Sequence, residues 1–313
     1  EGLQNADRLN QAFKLKMEGQ ARFVRAFTYF YLVNLYGDVP LILTTDYRAN
    51  QLASRVSQTE VYDQILTDLL MAEELAPSEY KNGERTSVNK QVVRAFLSRV
   101  YLYMENWVEA EKYSTQVIND SETYQLPEDL NQVFLADSPE AIWQISPFGG
   151  GGISSQTNEG EFFIIDPVFS FFAAIKLEEQ FVSEFDSIDK RFQNWVGYNE
   201  SLDAHFAYKY KVWTSSEFPI KEYSMVLRLA EQYLIRAEAR AEQGDLLGSV
   251  QDIDNIRFRA GLELLSETEP DISKDQLLDE ILLQRRKELF AEWGHRWLDL
   301  KRTGLTSQVF EAE

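Results

Sequence analysis

Two pairs of helices joined by very short turns constrain the fold of this chain most strongly. The first pair covers residues 89–103 and 107–118, and the second covers residues 230–243 and 246–260. Small side chains stand where the paired helices must approach each other, at Ala95, Ser98, Ala110, Ala237 and Ala241. Helix–turn–helix units of roughly 34 residues with small residues at their contacts are typical of tetratricopeptide repeats. Because no strict period is kept, the pattern predicts a mainly α fold, a tetratricopeptide-like but degenerate helical array.

Other helices are predicted on both sides of these pairs. Residues 21–36 contain no glycine or proline and place aromatic residues along one face, and Gly37 to Pro40 ends the helix. A second helix is predicted from Thr59 to the residues before Pro77, and a long one from Ile272 to Phe290. The helical signal is therefore concentrated at the two ends of the chain.

Between these ends the pattern changes. Residues 141–145 and 206–212 alternate as short strands do, and the glycines from Gly149 to Gly152 predict a loop. A long segment without regular helices is more often functional than a plain connector. We therefore predict one domain over residues 1–313: a helical scaffold formed by 1–120 and 222–313, and an irregular, loop-rich ligand-binding insertion with short strands over 121–221.

Composition excludes several classes of function. The 31 basic and 51 acidic residues give a net charge of −20, which repels phosphate backbones, so nucleic acid is not an expected partner. Without cysteine there is no thiol chemistry. Neither His205 nor His295 has a partner at metal-ligand spacing, and no G-x-S-x-G elbow is present. We predict no catalytic residue, metal site or cofactor.

The carboxylates near the C-terminus are interleaved with basic residues. Arginines nearby lower carboxylate pKa values, whereas a glycosidase needs one acid with a raised pKa. We therefore expect Glu292, Arg296 and Asp299 to form a structural ion-pair network.

Aromatic residues are abundant, with 20 Phe, 15 Tyr and 6 Trp. Those on the helices are expected in the core, but several in the insertion stand beside glycine, amide and charged residues. Flat rings with polar neighbours suit sugar rings, whose C–H faces are apolar and whose rims carry hydroxyls. The predicted ligand-binding residues are Trp195, Tyr198, Trp213, Phe148 and Tyr208. A small satellite core under a long loop is the equally weighted alternative for any one of them.

Three sequence blocks are distinctive: residues 21–41 (ARFVRAFTYF, then LYGDVPL), residues 254–262 (DNIRFRAGL) and residues 285–302 (RRKELFAEWGHRWLDLKR). These blocks resemble the SusD/RagB family of outer-membrane nutrient-binding lipoproteins. In the third block Trp293 separates a glutamate and a glycine that are adjacent in the commoner form, which indicates a subfamily variant. The blocks follow in the family's order and span nearly the whole chain.

The resemblance implies a tetratricopeptide-like scaffold that binds glycans, oligosaccharides or polysaccharides, at the cell surface without catalysis. It implies attachment to the outer membrane through an N-terminal lipid absent from this chain. It also implies a SusC-like TonB-dependent transporter as the partner that receives the cargo. The alternatives left open are a tetratricopeptide-type peptide-binding adaptor and, less favoured, a glycoside hydrolase.

Overall fold

The computed structural model describes residues 8–147, 155–170 and 175–310. Its α-helices are α1 (Gln11–Tyr36), α2 (Tyr47–Asn50), α3 (Gln58–Leu75), α4 (Lys90–Tyr103), α5 (Trp107–Ile118), α6 (Asn158–Phe163), α7 (Glu179–Ser183), α8 (Lys190–Trp195), α9 (Leu229–Gln243), α10 (Leu246–Arg259), α11 (Leu265–Thr268), α12 (Lys274–Leu289), α13 (His295–Arg302) and α14 (Thr306–Phe310). Its strands are β1 (Val39–Pro40), β2 (Arg55–Val56), β3 (Ala141–Ile145), β4 (Val196–Asn199), β5 (Ala204–Ala207) and β6 (Ser224–Arg228), and short 3₁₀ helices cover Lys81–Gly83 and Leu130–Gln132. The mainly α prediction is confirmed.

The helices pack on one another as an array. Helix α4 packs on α5 and α9 packs on α10, as predicted, while α5 also packs on α9 and joins the two pairs. Helix α1 packs on α3, and α12 packs on α9. The small residues at the contacts are fully buried: Ala95, Ser98, Ala110, Ala237 and Ala241. These small side chains let the paired helices approach closely, as the sequence pattern predicts.

Helix α1 begins ten residues before the predicted start. Asn10 caps it, because its side-chain oxygen accepts the backbone N–H of Phe13 at 2.8 Å. Gly19 lies inside the helix and faces α3, where a Cβ would come 2.9 Å from the Cβ of Leu75. The glycine therefore serves close packing rather than a helix end. No helix in the described ranges is both long and apolar enough to cross a membrane.

The strands form three antiparallel pairs: β1 with β2, β3 with β6, and β4 with β5. Strand β3 matches its prediction, but the strand predicted over 206–212 is confined to β5. The last residue of β5, Ala207, pairs with Val196, which directly follows helix α8. Pairing stops there because the neighbouring chain is already helical.

The main hydrophobic core lies between α1, α3, α4, α5 and β3. Phe23 and Phe96 are fully buried and meet edge to face, with ring centroids 5.7 Å apart. Trp143 of β3 contacts Phe23 in the same way at 5.1 Å. Such geometry is preferred by aromatic pairs. The aromatic face of α1 is thus core, as predicted.

A buried ion-pair network lies where the insertion meets the scaffold. Arg228, at the end of β6, donates to Glu288 at 2.6 Å, Glu140 at 2.8 Å and Glu292 at 2.9 Å. Arg259 of α10 pairs with both Glu140 and Glu288. All five side chains are nearly inaccessible to solvent. One cluster therefore joins β6, α10, α12 and the segment before β3.

Glu288 is the acid at the centre of this network. Burial by itself raises the pKa of a carboxyl group, but the guanidinium groups of Arg259, Arg228 and Arg191 outweigh it and hold the pKa of Glu288 well below its ordinary value of 4.5. In the unfolded chain, Glu288 has its ordinary pKa and is protonated at a higher pH than in the folded protein. The stabilisation from Glu288 is therefore complete above about pH 4.5 and is lost as the pH falls below it.

Replacing Glu288 with glutamine is expected to lower the free energy of unfolding by about 3–5 kcal/mol at neutral pH, because it leaves buried arginines without their counter-charge. The difference from the wild type should shrink as the pH falls below about 4.5. Urea unfolding across this pH range measures both effects. Glu74→Gln, on an exposed position of α3, is the matched control and should change stability by less than about 0.5 kcal/mol. A Glu288→Gln protein as stable as this control would contradict the role of the network.

Candidate functional site

The half-buried Trp213 lies at a polar cavity of about 540 Å³ in the insertion. The cavity lies beyond β5, on the segment that returns toward β6. Its other lining residues are mostly polar: Ser155, Asp166, Lys211, Val212, Thr214, Ser215, Ser216, Glu217 and Lys221. It therefore combines one large aromatic face with hydroxyls, carboxylates and ammonium groups.

The chain leading to Trp213 is fixed by a buried carboxylate. Glu222 accepts the backbone N–H of Lys211 at 2.6 Å and that of Val212 at 3.1 Å. Burial raises the pKa of Glu222, and these two hydrogen bonds oppose that effect. Burial lowers the pKa of Lys211 to about 8, so its ammonium group still carries charge at neutral pH. That ammonium group donates to the backbone oxygens of Asn194 and Tyr208, both at 2.5 Å, so Lys211 helps to fix the backbone at the cavity wall.

Phe169 completes the aromatic part of the site. Its ring stacks on Trp213 with centroids 5.7 Å apart and planes 26° apart, and 45% of Phe169 is exposed. Asp166 holds the turn that carries Phe169 by accepting the backbone N–H groups of Val168 and Phe169, both at 2.9 Å. The ring of Trp213, which lines the cavity, is therefore joined by a second, nearly parallel ring.

A second segment of the insertion supports the same cavity. The backbone N–H of Ser155 donates to Ser215 at 2.8 Å, and that of Ser215 donates to the Gln156 side chain at 3.1 Å. Gly160 in α6 packs directly on the backbone of Val212, where a Cβ would come 2.2 Å from the carbonyl oxygen. Only glycine permits this approach, so α6 and the Trp213 segment form one packed unit.

Tyr198 lies outside this cavity, on strand β4 of the β4–β5 hairpin. It is 51% exposed, its ring contacts that of His205, and its hydroxyl donates to Asp203 at 2.6 Å. That hydrogen bond raises the pKa of Tyr198. Gly197 beside it accommodates the Phe206 ring, which a Cβ would approach to 2.3 Å. The hairpin thus presents one exposed tyrosine, separate from Trp213.

Tyr208 is half-buried and does not line the Trp213 cavity. Its ring meets Phe206 edge to face at 5.6 Å, and the Lys211 ammonium lies 4.0 Å from its centre. Tyr208 therefore packs against the Lys211 ammonium group. Phe148, the remaining aromatic candidate of the loop, lies outside the described residues.

Trp195 is a core residue, which corrects the expectation that it contacts ligand. It is fully buried, and its indole N–H donates to the backbone oxygen of Leu130 at 3.1 Å. Phe134 packs edge to face against it at 5.6 Å, and the Lys209 ammonium lies 4.7 Å from its ring centre. No face of Trp195 is available to a ligand in this arrangement.

Two of the three charged residues expected to be structural lie in buried ion pairs. Glu292 pairs with Lys209 and Arg228, and the pKa of Glu292 is lowered because these cations outweigh the effect of burial. Asp299 pairs with Arg285 and with Arg302. Arg296 differs: it is half-buried and forms no ion pair with any described residue.

The predicted aromatic residues that the structure describes thus lie in different environments, and Trp213 is the one among them that lines the polar cavity described above. Sequence reasoning missed Phe169, Asp166 and Lys211. Phe169 stands in an aromatic-rich stretch, but its stacking on Trp213 depends on a contact between residues far apart in the chain. Chemically, the site can place a flat apolar face of a ligand on Trp213 and hydrogen-bond its polar rim.

Comparison with protein families gives matches at both ends of the chain. A model described as "Starch-binding associating with outer membrane" matches residues 1–102, and a model described as "SusD family" matches residues 203–313. A curated relative, SusD-like protein P2 of Formosa agariphila, is 29% identical over 93% of this chain. The chain spans 66% of that relative's length.

Solved structures agree in fold. A SusD superfamily protein from Bacteroides vulgatus superposes with a TM-score of 0.85 at 23% identity, covering 99% of this chain and 72% of that one. Surface glycan-binding protein A from Bacteroides uniformis gives a TM-score of 0.78 at 20% identity, covering 97% and 71%. The helical array is therefore the tetratricopeptide-like fold of these proteins. With both ends matched by family models, the chain belongs to the SusD family.

Proposed function

We propose that this protein binds glycans at the cell surface through the insertion, with Trp213 as the principal contact. The observation that carries the proposal is the stacked pair of Trp213 and Phe169 at a polar cavity. The family description "starch-binding" and the name of the glycan-binding relative support a carbohydrate ligand.

The chemistry of the Trp213 cavity suits a sugar unit. A pyranose ring has an apolar C–H face that packs on an indole, and hydroxyls around its rim that both donate and accept hydrogen bonds. Asp166 and Glu217 supply acceptors there, Lys221 supplies a donor, and the serine and threonine hydroxyls do both. A ligand that is apolar throughout would leave these groups unsatisfied.

We propose binding without catalysis. Glycoside hydrolysis requires a carboxylic acid with a raised pKa beside an ionised carboxylate. The most deeply buried acids near the C-terminus are instead paired with arginines, and the pKa values of Glu288, Glu292 and Asp299 are all lowered. These groups stay ionised and cannot donate a proton to a leaving group.

We also propose that the protein is anchored by lipid to the outer membrane and delivers its cargo to a SusC-like TonB-dependent transporter. The family description "associating with outer membrane" supports the location. A binding protein without catalysis serves uptake only if a second protein carries the glycan inward, and the resemblance to the SusD/RagB family supplies that partner.

Replacing Trp213 with alanine should weaken binding of an array-selected glycan at least tenfold, because a truncated aromatic anchor commonly costs about 2 kcal/mol or more. The melting temperature should change little, because Trp213 is only half-buried. Calorimetric titration and thermal melting of the same samples measure the two quantities. Trp297→Ala on α13, where the indole is 43% exposed and contacts Phe310, is the matched control and should bind normally.

Trp195→Ala should show the opposite behaviour. Removal of this buried indole is expected to cost about 3–5 kcal/mol of folding stability while the folded fraction binds normally. If Trp213→Ala binds as tightly as Trp297→Ala, the aromatic pair is not the glycan contact and the proposed site is wrong.

The lipid-anchored protein, isolated under mild detergent from outer membranes, should co-purify with a transporter barrel. We expect their interface to exceed the roughly 2,000 Å² of a standard complex, since stable assemblies bury more surface. Mass spectrometry of the purified complex identifies the partner. Repeated isolation of the protein alone under these conditions would count against delivery to a transporter.

A further inference from the structure

The loop between α12 and α13 holds one aromatic side chain in an unusual backbone conformation. Ala291 and Trp293 have positive φ angles of 55° and 40°, and Gly294 follows at 73°. Residues other than glycine rarely adopt this region, and they do so mostly where the surrounding structure imposes it. Trp293 is also the extra residue that separates the glutamate and glycine of the third family block.

The Trp293 ring packs against helix α1 of the scaffold. Its centroid lies 5.6 Å from that of Phe27 and 5.7 Å from that of Tyr31, both on α1. The indole nitrogen is buried, yet among the described residues it finds no acceptor. A buried N–H without a partner is costly in a folded protein, so this donor needs an explanation.

Glu159, in the first turn of α6, presents the complementary group. One carboxylate oxygen accepts a hydrogen bond from the Ser224 hydroxyl. The other, Oε2, is buried and has no partner anywhere in the described ranges. An unpartnered buried acceptor and an unpartnered buried donor therefore occur on neighbouring elements of one region.

The residues Trp293 and Glu159 both line one cavity, of about 460 Å³. We call it the Trp293 cavity; its other polar lining includes Gln156, Asn158, Ser146 and Ser224. It is separate from the Trp213 cavity, because the two cavities share no lining residue.

We propose that the Trp293 cavity is a second binding site, for a neutral sugar unit. A hydroxyl group both accepts and donates, so the hydroxyls of one sugar satisfy the indole N–H of Trp293 and the free oxygen of Glu159. The carboxylates of Glu159 and Glu161 disfavour sugars that carry carboxylate or sulfate groups. This inference takes its class of ligand from the proposed glycan function, but the site rests on its own geometry.

Nuclear magnetic resonance of the indole N–H groups tests this site directly. The chain has 6 tryptophans, and loss of a signal in Trp293→Phe and in Trp213→Phe assigns the two that matter. The ¹⁵N-labelled protein is titrated separately with glucose, galactose, mannose and glucuronic acid, each up to its solubility limit. We expect at least one neutral hexose to shift the Trp293 signal saturably, and glucuronic acid to shift it less.

Glu159→Gln should weaken that hexose about tenfold, because a hydrogen bond to a charged acceptor is stronger than one to a neutral amide. Glu74→Gln, which removes the same charge from an exposed position of α3, should leave the affinity unchanged. The titration should give the same result in a Trp213→Ala background, which removes any effect transmitted from the first site.

The two proposals fail in different ways. If the Trp213 signal responds to sugars and the Trp293 signal does not, the second site is wrong and the proposed function stands. If the Trp293 signal responds equally in Glu159→Gln, the carboxylate is not a ligand and the assignment is overturned. If Trp293 responds while Trp213 does not, the second site stands and the first is wrong.

Discussion

The pairing of Arg228 with three glutamates is the interaction on which the rest of the structure depends. Arg228 stands at the junction of β6 and α9, and its partners Glu140, Glu288 and Glu292 come from the insertion and from the end of the scaffold. Buried charges are tolerated only when nearly every one is matched. The conformation of the insertion is thereby coupled to that of the helices, although the described part of the insertion contains only short helices and strands.

This arrangement separates the residues that identify the family from those proposed to bind ligand. Glu288, Glu292 and Asp299 belong to the third sequence block, and each of them forms a buried ion pair with an arginine. Trp213 and Phe169 lie in the insertion, outside every block. A fixed frame with a separate aromatic surface allows the ligand contacts to change without disturbing the buried charges.

The helical array could be predicted from sequence because its determinants are local: apolar periodicity, short turns and small residues at contacts. The start of α1 was missed because Gly19 resembles a helix break until its packing on α3 is known. Trp195 and Trp213 have similarly polar neighbours in sequence, yet one is core and the other lines a cavity. That difference is set by Leu130 and Phe134, more than 60 residues away from Trp195, and no local pattern encodes it.

Screening the purified protein on a glycan array, with reducing ends assayed in solution on the glycans it selects, tests the central claim most directly. A protein in which Glu288, Glu292 and Asp299 are held ionised should retain a defined set of glycans and release no reducing sugar. Turnover of a bound glycan would contradict binding without catalysis. Absence of binding to any glycan on the array would contradict the carbohydrate function itself.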